Sequence, residues 1–405
     1  MAKKHTWQFR PRFHRRAFGW RSQPAVKRVT EAVAEIRKVA RRDPVLGAEG
    51  AVLFLEKVSP ALEQVDSSSG TIGTAVNKAI EVLAPIISSA PLDRDQREGL
   101  LERLFQAFQD EEIPYIDTLG DHWGDLCGGP ELAWEWADRL VGIVKLSWSP
   151  DPNLRGYFKG TAACLSAFLA AGRHQELLDL LETAPVNFWY YRAYGVKALV
   201  AMGRKAEALK YAEASRSPNQ PSHEIDRACQ EILLSSGLEE EAYGRYGRRA
   251  SLTSTYLATF RARVRRFPGI PPETILRDLA AGTPGEEGKW FAAAKDAGFL
   301  DMALDFASRS PTDPRTLTRA ARDFSEKDPA FALEAGLLAL RWLGEGYGYE
   351  ITGADVRAAY DRTLEAADAL GRREEVRGRI RALVAAEPLG QRFVNQILGR
   401  TLGLE

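Results

Sequence analysis

The stretch YGVKALVAMGRKAEALKYAEAS, residues 194–215, decides the fold class of this chain. Apolar residues recur at intervals of three and four on both sides of Gly203, which is the spacing of an amphipathic α-helix. A helix that ends in a left-handed residue favours glycine there, because glycine has no Cβ to clash. The stretch therefore predicts two helices that meet at a turn on Gly203 and form a helical hairpin.

The same pattern of a small or apolar pair, a glycine and an amphipathic helix start recurs four more times. The further copies are AAGRHQELL (170–178), SSGLEEEAY (235–243), DAGFLDMAL (296–304) and ALGRREEVR (369–377). The first three glycines are 31 and 34 residues apart, and the next two follow after 61 and 73 residues. Since one hairpin cannot bury its apolar face alone, successive hairpins are expected to stack. With no alternating strand pattern in the chain, we predict an all-α fold, a right-handed α-solenoid of helical hairpins.

These copies resemble tetratricopeptide repeats over roughly residues 155–390, so we describe the predicted solenoid as tetratricopeptide-like. VDSSSGTIGTAVNKAIEVL (65–83) and LLERLFQAFQDEEIPYIDTLGDHWGDLCG (100–128) resemble the helical region that follows the zinc finger in bacterial SWIM-type proteins. That resemblance implies a helical scaffold in a bacterial protein, without zinc ligands, because the chain has no CxC or paired Cys-x-His. We expect a basic aromatic segment (1–23), a helical module (24–150) and helical repeats (151–405).

The net charge of zero conceals a strong asymmetry. Residues 1–42 carry thirteen Lys or Arg and two Glu, so the remainder is acidic, and HTWQFRPRFHRRAFGWR (5–21) interleaves five aromatic residues with five arginines. This segment docks on the acidic body, binds another protein, or binds nucleic acid, where guanidinium groups neutralise phosphates and rings stack on bases. A second basic cluster, RYGRRASLTSTYLATFRARVRRF (245–267), is either a solvent-exposed basic face or an extension of such a nucleic-acid surface. The candidate nucleic-acid contacts are Trp7, Arg10, Arg12, Arg15, Arg16, Trp20, Arg21, Arg248, Arg249, Arg261 and Arg265.

The sequence FWYYRAY (188–194) places several aromatic residues on the first helix of the most regular repeat. Such residues commonly line the concave surface of a helical solenoid, where they clamp an extended peptide. Packing between neighbouring hairpins explains them equally well. The candidate groove-lining residues are Tyr190, Tyr191, Arg192 and Tyr194.

Several short motifs predict local structure. Ser59-Pro60, Thr283-Pro284, Asp313-Pro314 and Asp328-Pro329 combine a capping side chain with a proline and predict helix starts. GEGYGYEITGADV (344–356) lacks a preceding strand and a GK[ST] sequence, so it predicts a loop that ends in a helix cap. If a helix starts at Pro114, the carboxylates of residues 117, 121 and 125 share one face, as metal ligands or, more simply, as its solvent-exposed side.

No catalytic, cofactor-binding or metal-binding motif is present, and the three cysteines are too widely spaced for a zinc site. The absence of a long apolar run and of a signal-peptide pattern predicts a cytoplasmic protein that does not cross a membrane. We therefore expect a non-catalytic scaffold that binds a protein or peptide. The alternative is a nucleic-acid-associated protein, and the third class is an enzyme whose catalytic residues converge from distant repeats.

Overall fold

The computed structural model describes residues 5–247, 255–387 and 392–404. Helices account for 71% of the structure, and the described residues contain no strand, so the all-α prediction is confirmed. The chain forms two compact units, Met1–Ile232 and Leu233–Glu405. Within the described ranges, none of the helices combines the length and the apolar character needed to cross a lipid bilayer.

From residue 5 onward, where its description begins, the first unit is built from eleven α-helices, the last of which contains the division between the units. Residue 150, where we predicted a boundary, lies inside this unit, between two helices that pack against each other, Pro130–Ser147 and Thr161–Ala170. Two 3₁₀ turns, Arg10–Arg12 and Asp117–His122, accompany the helices. The helices are α1 (Ser22–Ala40), α2 (Pro44–Leu62), α3 (Thr71–Ser88), α4 (Arg94–Asp110), α5 (Trp123–Leu126), α6 (Pro130–Ser147), α7 (Thr161–Ala170), α8 (His174–Glu182), α9 (Trp189–Ala201), α10 (Lys205–Ala214) and α11 (Ser222–Leu234).

The second unit continues with ten α-helices in its described residues. A π-helical turn, Tyr243–Gly247, follows the first of them, and a 3₁₀ turn, Glu287–Trp290, precedes the fourth. Trp290 and Phe291 are fully buried and form part of its core. The helices are α12 (Glu239–Ala242), α13 (Tyr256–Arg266), α14 (Pro272–Ala281), α15 (Phe291–Asp296), α16 (Leu300–Arg309), α17 (Pro314–Phe324), α18 (Pro329–Gly344), α19 (Gly353–Ala369), α20 (Arg373–Ala385) and α21 (Phe393–Leu402).

The repeat glycines lie at helix ends in the left-handed conformation, as predicted. Their φ angles are 72° at Gly172, 76° at Gly203, 74° at Gly237, 82° at Gly298 and 66° at Gly371, and a helix precedes and follows each one. At every one of these turns, the amide after the glycine donates to the carbonyl five residues earlier, at 2.8–3.1 Å. This bond satisfies a carbonyl that the helix end leaves free. The five sequence copies therefore form five equivalent turns.

Three of these turns also share an ion pair. Where the sequence reads Gly-Arg-x-x-Glu, the guanidinium donates twice to the carboxylate three residues later, at 2.5–2.9 Å. The pairs are Arg173–Glu176, Arg204–Glu207 and Arg372–Glu375. The exposed pairs at Arg204 and Arg372 contribute little to stability, because water screens them. Because the pair occurs in both units, the sequence copies around Gly172, Gly203 and Gly371 share a side-chain contact as well as a backbone turn.

Two of the four proline motifs start helices and two do not. The carboxylates of Asp313 and Asp328 accept hydrogen bonds from the amides three residues later, which caps α17 and α18 as predicted. Pro60 instead lies within the last turn of α2, so the predicted start at Ser59 is wrong. The start predicted at Thr283 is also wrong, because Gly285 has a φ of 81° and turns the chain out of any helix.

A buried cation joins three helices of the first unit without a carboxylate partner in the described structure. The Arg97 side chain of α4 donates to the main-chain carbonyls of Ile87, Ser88, Ala90 and Leu126 at 2.7–3.3 Å. These carbonyls lie at or just beyond the C-terminal ends of α3 and α5, where helical hydrogen bonds run out. Burial lowers the pKa of Arg97, but the group remains a cation.

Candidate functional site

The aromatic residues of the N-terminal segment lie largely inside the protein. Trp7, Phe9 and Phe13 are buried, and the last two contact the ring of Phe54 in α2 with centroids 5.9 and 5.2 Å apart. Trp20 differs, because 72% of it is exposed. Three of the five aromatic residues therefore contribute to the core of the first unit.

Carboxylates of α1 and of the end of α2 hold the arginines of the same segment. Arg12 pairs with Glu31 at 3.1 Å, and Arg15 and Arg16 both pair with Glu63, at 2.9 and 3.0 Å. Arg10 and Arg21 are exposed. Half-buried Glu35 also accepts from the main-chain amides of residues 8 and 9, at 2.7 and 3.1 Å, so the segment docks through both its backbone and its side chains.

The second basic cluster belongs to the second unit. Arg261 makes a two-pronged pair with Asp296 at 2.7 and 2.8 Å, and Arg265 is exposed. Arg248 and Arg249 lie outside the described residues.

The four predicted groove residues separate into two pairs. Tyr194 is buried, and its hydroxyl donates to Asp121 Oδ1 at 2.6 Å. The Arg192 guanidinium lies 3.9 Å from the ring centroid of Tyr211 and pairs with Glu182. Both side chains therefore serve packing within the unit, whereas Tyr190 and Tyr191 belong to an aromatic surface.

This surface, which we call the tyrosine patch, consists of Tyr157, Phe188, Tyr190 and Tyr191. Tyr157 is 75% exposed, and Phe188 and Tyr190 are each 49% exposed. The ring of Tyr191 contacts those of Phe188 and Tyr190, with centroids 6.2 and 5.6 Å apart, and it also contacts buried Trp148 at 5.4 Å. A buried tryptophan therefore supports an exposed group of aromatic rings.

Three carboxylates lie beside the tyrosine patch, on the segment between α4 and α5. Burial raises the pKa of both Glu111 and Asp117, and the only ammonium that faces them in the described structure is that of Lys159, 3.8 Å from Glu111 Oε1. Glu111 Oε1 and Asp117 Oδ1 are buried and have no hydrogen-bond donor among the described residues. Asp121 is the third carboxylate. The site therefore brings three carboxyl groups together with one ammonium group.

These carboxylates act on the tyrosines of the patch. Partial desolvation raises the pKa of Tyr190, and the charge and hydrogen bonding of Asp121 raise it further. Partial desolvation and the charge of Asp117 also raise the pKa of Tyr157 and Tyr191. The hydroxyl groups therefore stay protonated at neutral pH. Neutral aromatic faces next to anionic oxygens form an arrangement that attracts cations.

The arrangement does not bring together groups for metal or thiol chemistry. Among the described residues, no cluster of three His, Cys, Asp or Glu side chains could hold a metal ion. The helix predicted from Pro114 begins instead at Asp117 as a 3₁₀ turn, and the Ile116 amide that precedes it donates to Glu111 at 3.0 Å. Burial raises the pKa of the Cys127 and Cys164 thiols to about 12, so neither is a nucleophile at neutral pH.

Sequence reasoning missed Tyr157, Glu111 and the pairing of the 111–121 segment with α9. Tyr157 lies in an irregular loop, and nothing in its local sequence distinguishes an exposed aromatic residue from a buried one. The acidic run from residue 110 to 112 was the one available signal, but a charged run usually marks a solvent-exposed face. No protein-family model matches this chain, and no curated protein matches its sequence.

Proposed function

We propose that this chain is a non-catalytic binding protein whose tyrosine patch takes a cationic segment of a protein or peptide partner. The observation that supports this proposal is the juxtaposition of exposed aromatic rings with Asp117 and Asp121, whose charges act on the tyrosines of the patch. A partner's arginine or lysine brings the positive charge that complements both the rings and these carboxylates.

The energetics of the tyrosine patch favour such a ligand. A guanidinium over a tyrosine ring gains about 0.5–2 kcal/mol, more when water is excluded. Asp117 and Asp121 add attraction over the same few ångströms, because partial burial reduces the screening of their charges. Tyrosine and tryptophan are also enriched in the residues that contribute most to protein–protein binding. A flexible peptide loses conformational entropy on binding. The rings of the tyrosine patch are already partly fixed by their contacts with one another, which reduces the entropy that the protein itself loses.

We also propose that the helix–glycine–helix hairpins stack in the tetratricopeptide-like, right-handed manner. One contact supports this proposal: α8, from the hairpin at Gly172, packs against α9, from the hairpin at Gly203. This contact joins two consecutive hairpins whose apolar faces would otherwise be exposed.

The nucleic-acid alternative has weaker support. Trp7, which would stack on a base, is buried, and the main-chain amides of residues 8 and 9 donate to Glu35. These contacts favour a role for the N-terminal segment in folding.

A displayed library of random 12-residue peptides, selected on the immobilised full chain, tests the proposed function. We expect enrichment of arginine and lysine, and depletion of aspartate and glutamate. Enriched peptides measured by fluorescence polarisation should bind about 2- to 30-fold more weakly to Tyr190→Ala, the range that a lost cation–π contact predicts. Tyr349→Ala, which removes an exposed tyrosine of the second unit, is the matched control and should bind normally. Enrichment of acidic peptides, or equal binding to Tyr190→Ala, would overturn the proposal.

A further inference from the structure

A cavity of about 530 Å³ lies in the second unit, and arginines dominate its charged lining. Arg315, Arg319 and Arg322 come from α17, and Arg362 comes from α19. The three residues of α17 are spaced by four and three, which places them on one face of the helix. Tyr349, from the loop between α18 and α19, completes this arginine cavity.

The arginines are not equally committed to other groups. Arg315 is fixed, because it donates to Asp355 at 2.8 and 3.0 Å and to the Glu350 carbonyl at 2.7 Å. Arg319 donates to the Arg315 carbonyl and to a threonine hydroxyl, and it has no carboxylate partner in the described part of the chain.

The other two arginines of the cavity make only local ion pairs. Arg322 pairs with adjacent Asp323 at 2.8 Å, and Arg362 pairs with Glu365 on its own helix at 2.6 Å. Such exposed pairs contribute little to stability, so an incoming anion can replace them. Three guanidinium groups are thus available to a ligand.

The acidic residues of the cavity are already engaged. Asp313 caps α17, and Asp355 accepts from Arg315 and from the Thr352 amide at 2.8 Å. The hydrogen bonds from Arg315 hold the pKa of Asp355 far below its usual value. Neither carboxylate neutralises the three available arginines.

The loop that carries Tyr349 is held in a costly conformation. Glu350 has a φ of 48°, which is unusual for a residue other than glycine, and its carbonyl accepts from Arg315. Reciprocal hydrogen bonds between Thr352 and Asp355 fix the other end of the loop. Tyr349 itself is 80% exposed. Backbone strain of this kind is concentrated at ligand sites, where the surrounding structure maintains it.

The sequence predicted a loop that ends in a helix cap here, and the structure places that loop at the edge of the arginine cavity.

We propose that the arginine cavity binds a nucleotide, with the base stacked on Tyr349 and the phosphates held by Arg319, Arg322 and Arg362. Guanidinium groups match phosphate oxygens in pairs, and a flat aromatic ring accepts any base on its face. The volume falls within the range of small-molecule sites. An inorganic anion would leave the tyrosine without a role. This site and this ligand class are separate from the tyrosine patch, and the proposal does not depend on peptide binding.

Fluorescence polarisation of the full chain with N-methylanthraniloyl adenosine diphosphate tests the inference. We expect saturable binding that ADP and GDP both compete for, since stacking does not select a base. Pyrophosphate and adenosine should each compete at least 10-fold less well than ADP, because each lacks one half of the recognised chemistry. Absence of saturable binding, or equal competition by pyrophosphate and ADP, overturns the nucleotide assignment.

Variants of exposed residues locate the site without disturbing the core. Arg319→Met should weaken binding at least 10-fold, Arg319→Lys should fall between it and wild type, and Tyr349→Ala should weaken binding by about 5-fold or more. Arg309→Met, which removes an exposed arginine on α16 outside the cavity, is the matched control and should bind as wild type. Circular dichroism melts that coincide with wild type establish that the variants fold. Unchanged affinity in both Arg319→Met and Tyr349→Ala would overturn the proposed location.

Discussion

Gly50→Ala is predicted to expel the N-terminal segment from the first unit. Gly50 lies in α2, and a Cβ added there would lie closer than 3.0 Å to three ring carbons of Trp7. Only 5% of Trp7 is exposed, so the ring has packed neighbours and no free space to enter. The methyl group and the ring cannot occupy the same place, and Trp7 must leave.

The expected cost follows from two opposing effects. Losing the packing of a buried tryptophan costs about 3–5 kcal/mol, whereas replacing glycine by alanine inside a helix gains about 1 kcal/mol. The free energy of unfolding should therefore fall by about 2–4 kcal/mol. Gly142→Ala is the matched control, because Gly142 lies inside α6 with no atom within 4 Å of an added Cβ. That variant should gain about 1 kcal/mol.

Urea unfolding followed by circular dichroism measures both variants, and limited trypsin digestion with mass spectrometry reports whether cleavage after Arg15 and Arg16 becomes faster. The double variant Trp7→Ala/Gly50→Ala supplies the decisive comparison. Once the ring is absent, Gly50→Ala should no longer cost stability, so the two changes should be strongly non-additive. Equal stability of Gly50→Ala and Gly142→Ala, or additive effects in the double variant, would refute the docked position of Trp7.

Two further predictions concern charged groups in the first unit. Arg97→Met removes the buried donor to four main-chain carbonyls and should lower the free energy of unfolding by about 3 kcal/mol, whereas Arg94→Met, which breaks an exposed pair with Glu135, should lower it far less. Equal losses in urea unfolding would contradict this assignment. Asp117→Asn should raise stability by about 0.5–2 kcal/mol at pH 7, because burial raises the pKa of Asp117 and makes its ionisation unfavourable in the folded state. Wild type loses this stability as the pH rises from the ordinary pKa of 3.8 through the raised one, so the difference between the two proteins should vanish below pH 3.8. If the variant is less stable than wild type at pH 7, then ionisation of Asp117 is not unfavourable in the folded state. If the variant keeps full peptide affinity, then Asp117 does not belong to the proposed peptide site.

The turns of this protein were predictable because their cause is local. Gly203 and its four counterparts need a left-handed backbone, which only the residue itself and its nearest neighbours determine. The caps at Asp313 and Asp328 are local in the same way, since a carboxylate reaches an amide three residues on. Thr283 failed because the left-handed Gly285 two residues later overrides its capping potential.

The sites were less predictable because they depend on contacts between distant residues. The aromatic run from 188 to 194 indicated a surface. The direction of its side chains depends on residues outside the run, because Tyr194 donates to Asp121 and Arg192 packs on Tyr211. Likewise, the loop from 344 to 356 looked like a simple connection until Arg315 was placed against it.

The sequence by itself determined that the chain is helical and where its repeated turns fall, because helical periodicity and glycine conformation are properties of a few consecutive residues. Only the tertiary structure decided which aromatic side chains are buried and which charges meet, as with Trp7 against Gly50 or Tyr194 on Asp121. Burial and ion pairing depend on the distance between residues far apart in the chain, and packing of the helices fixes that distance.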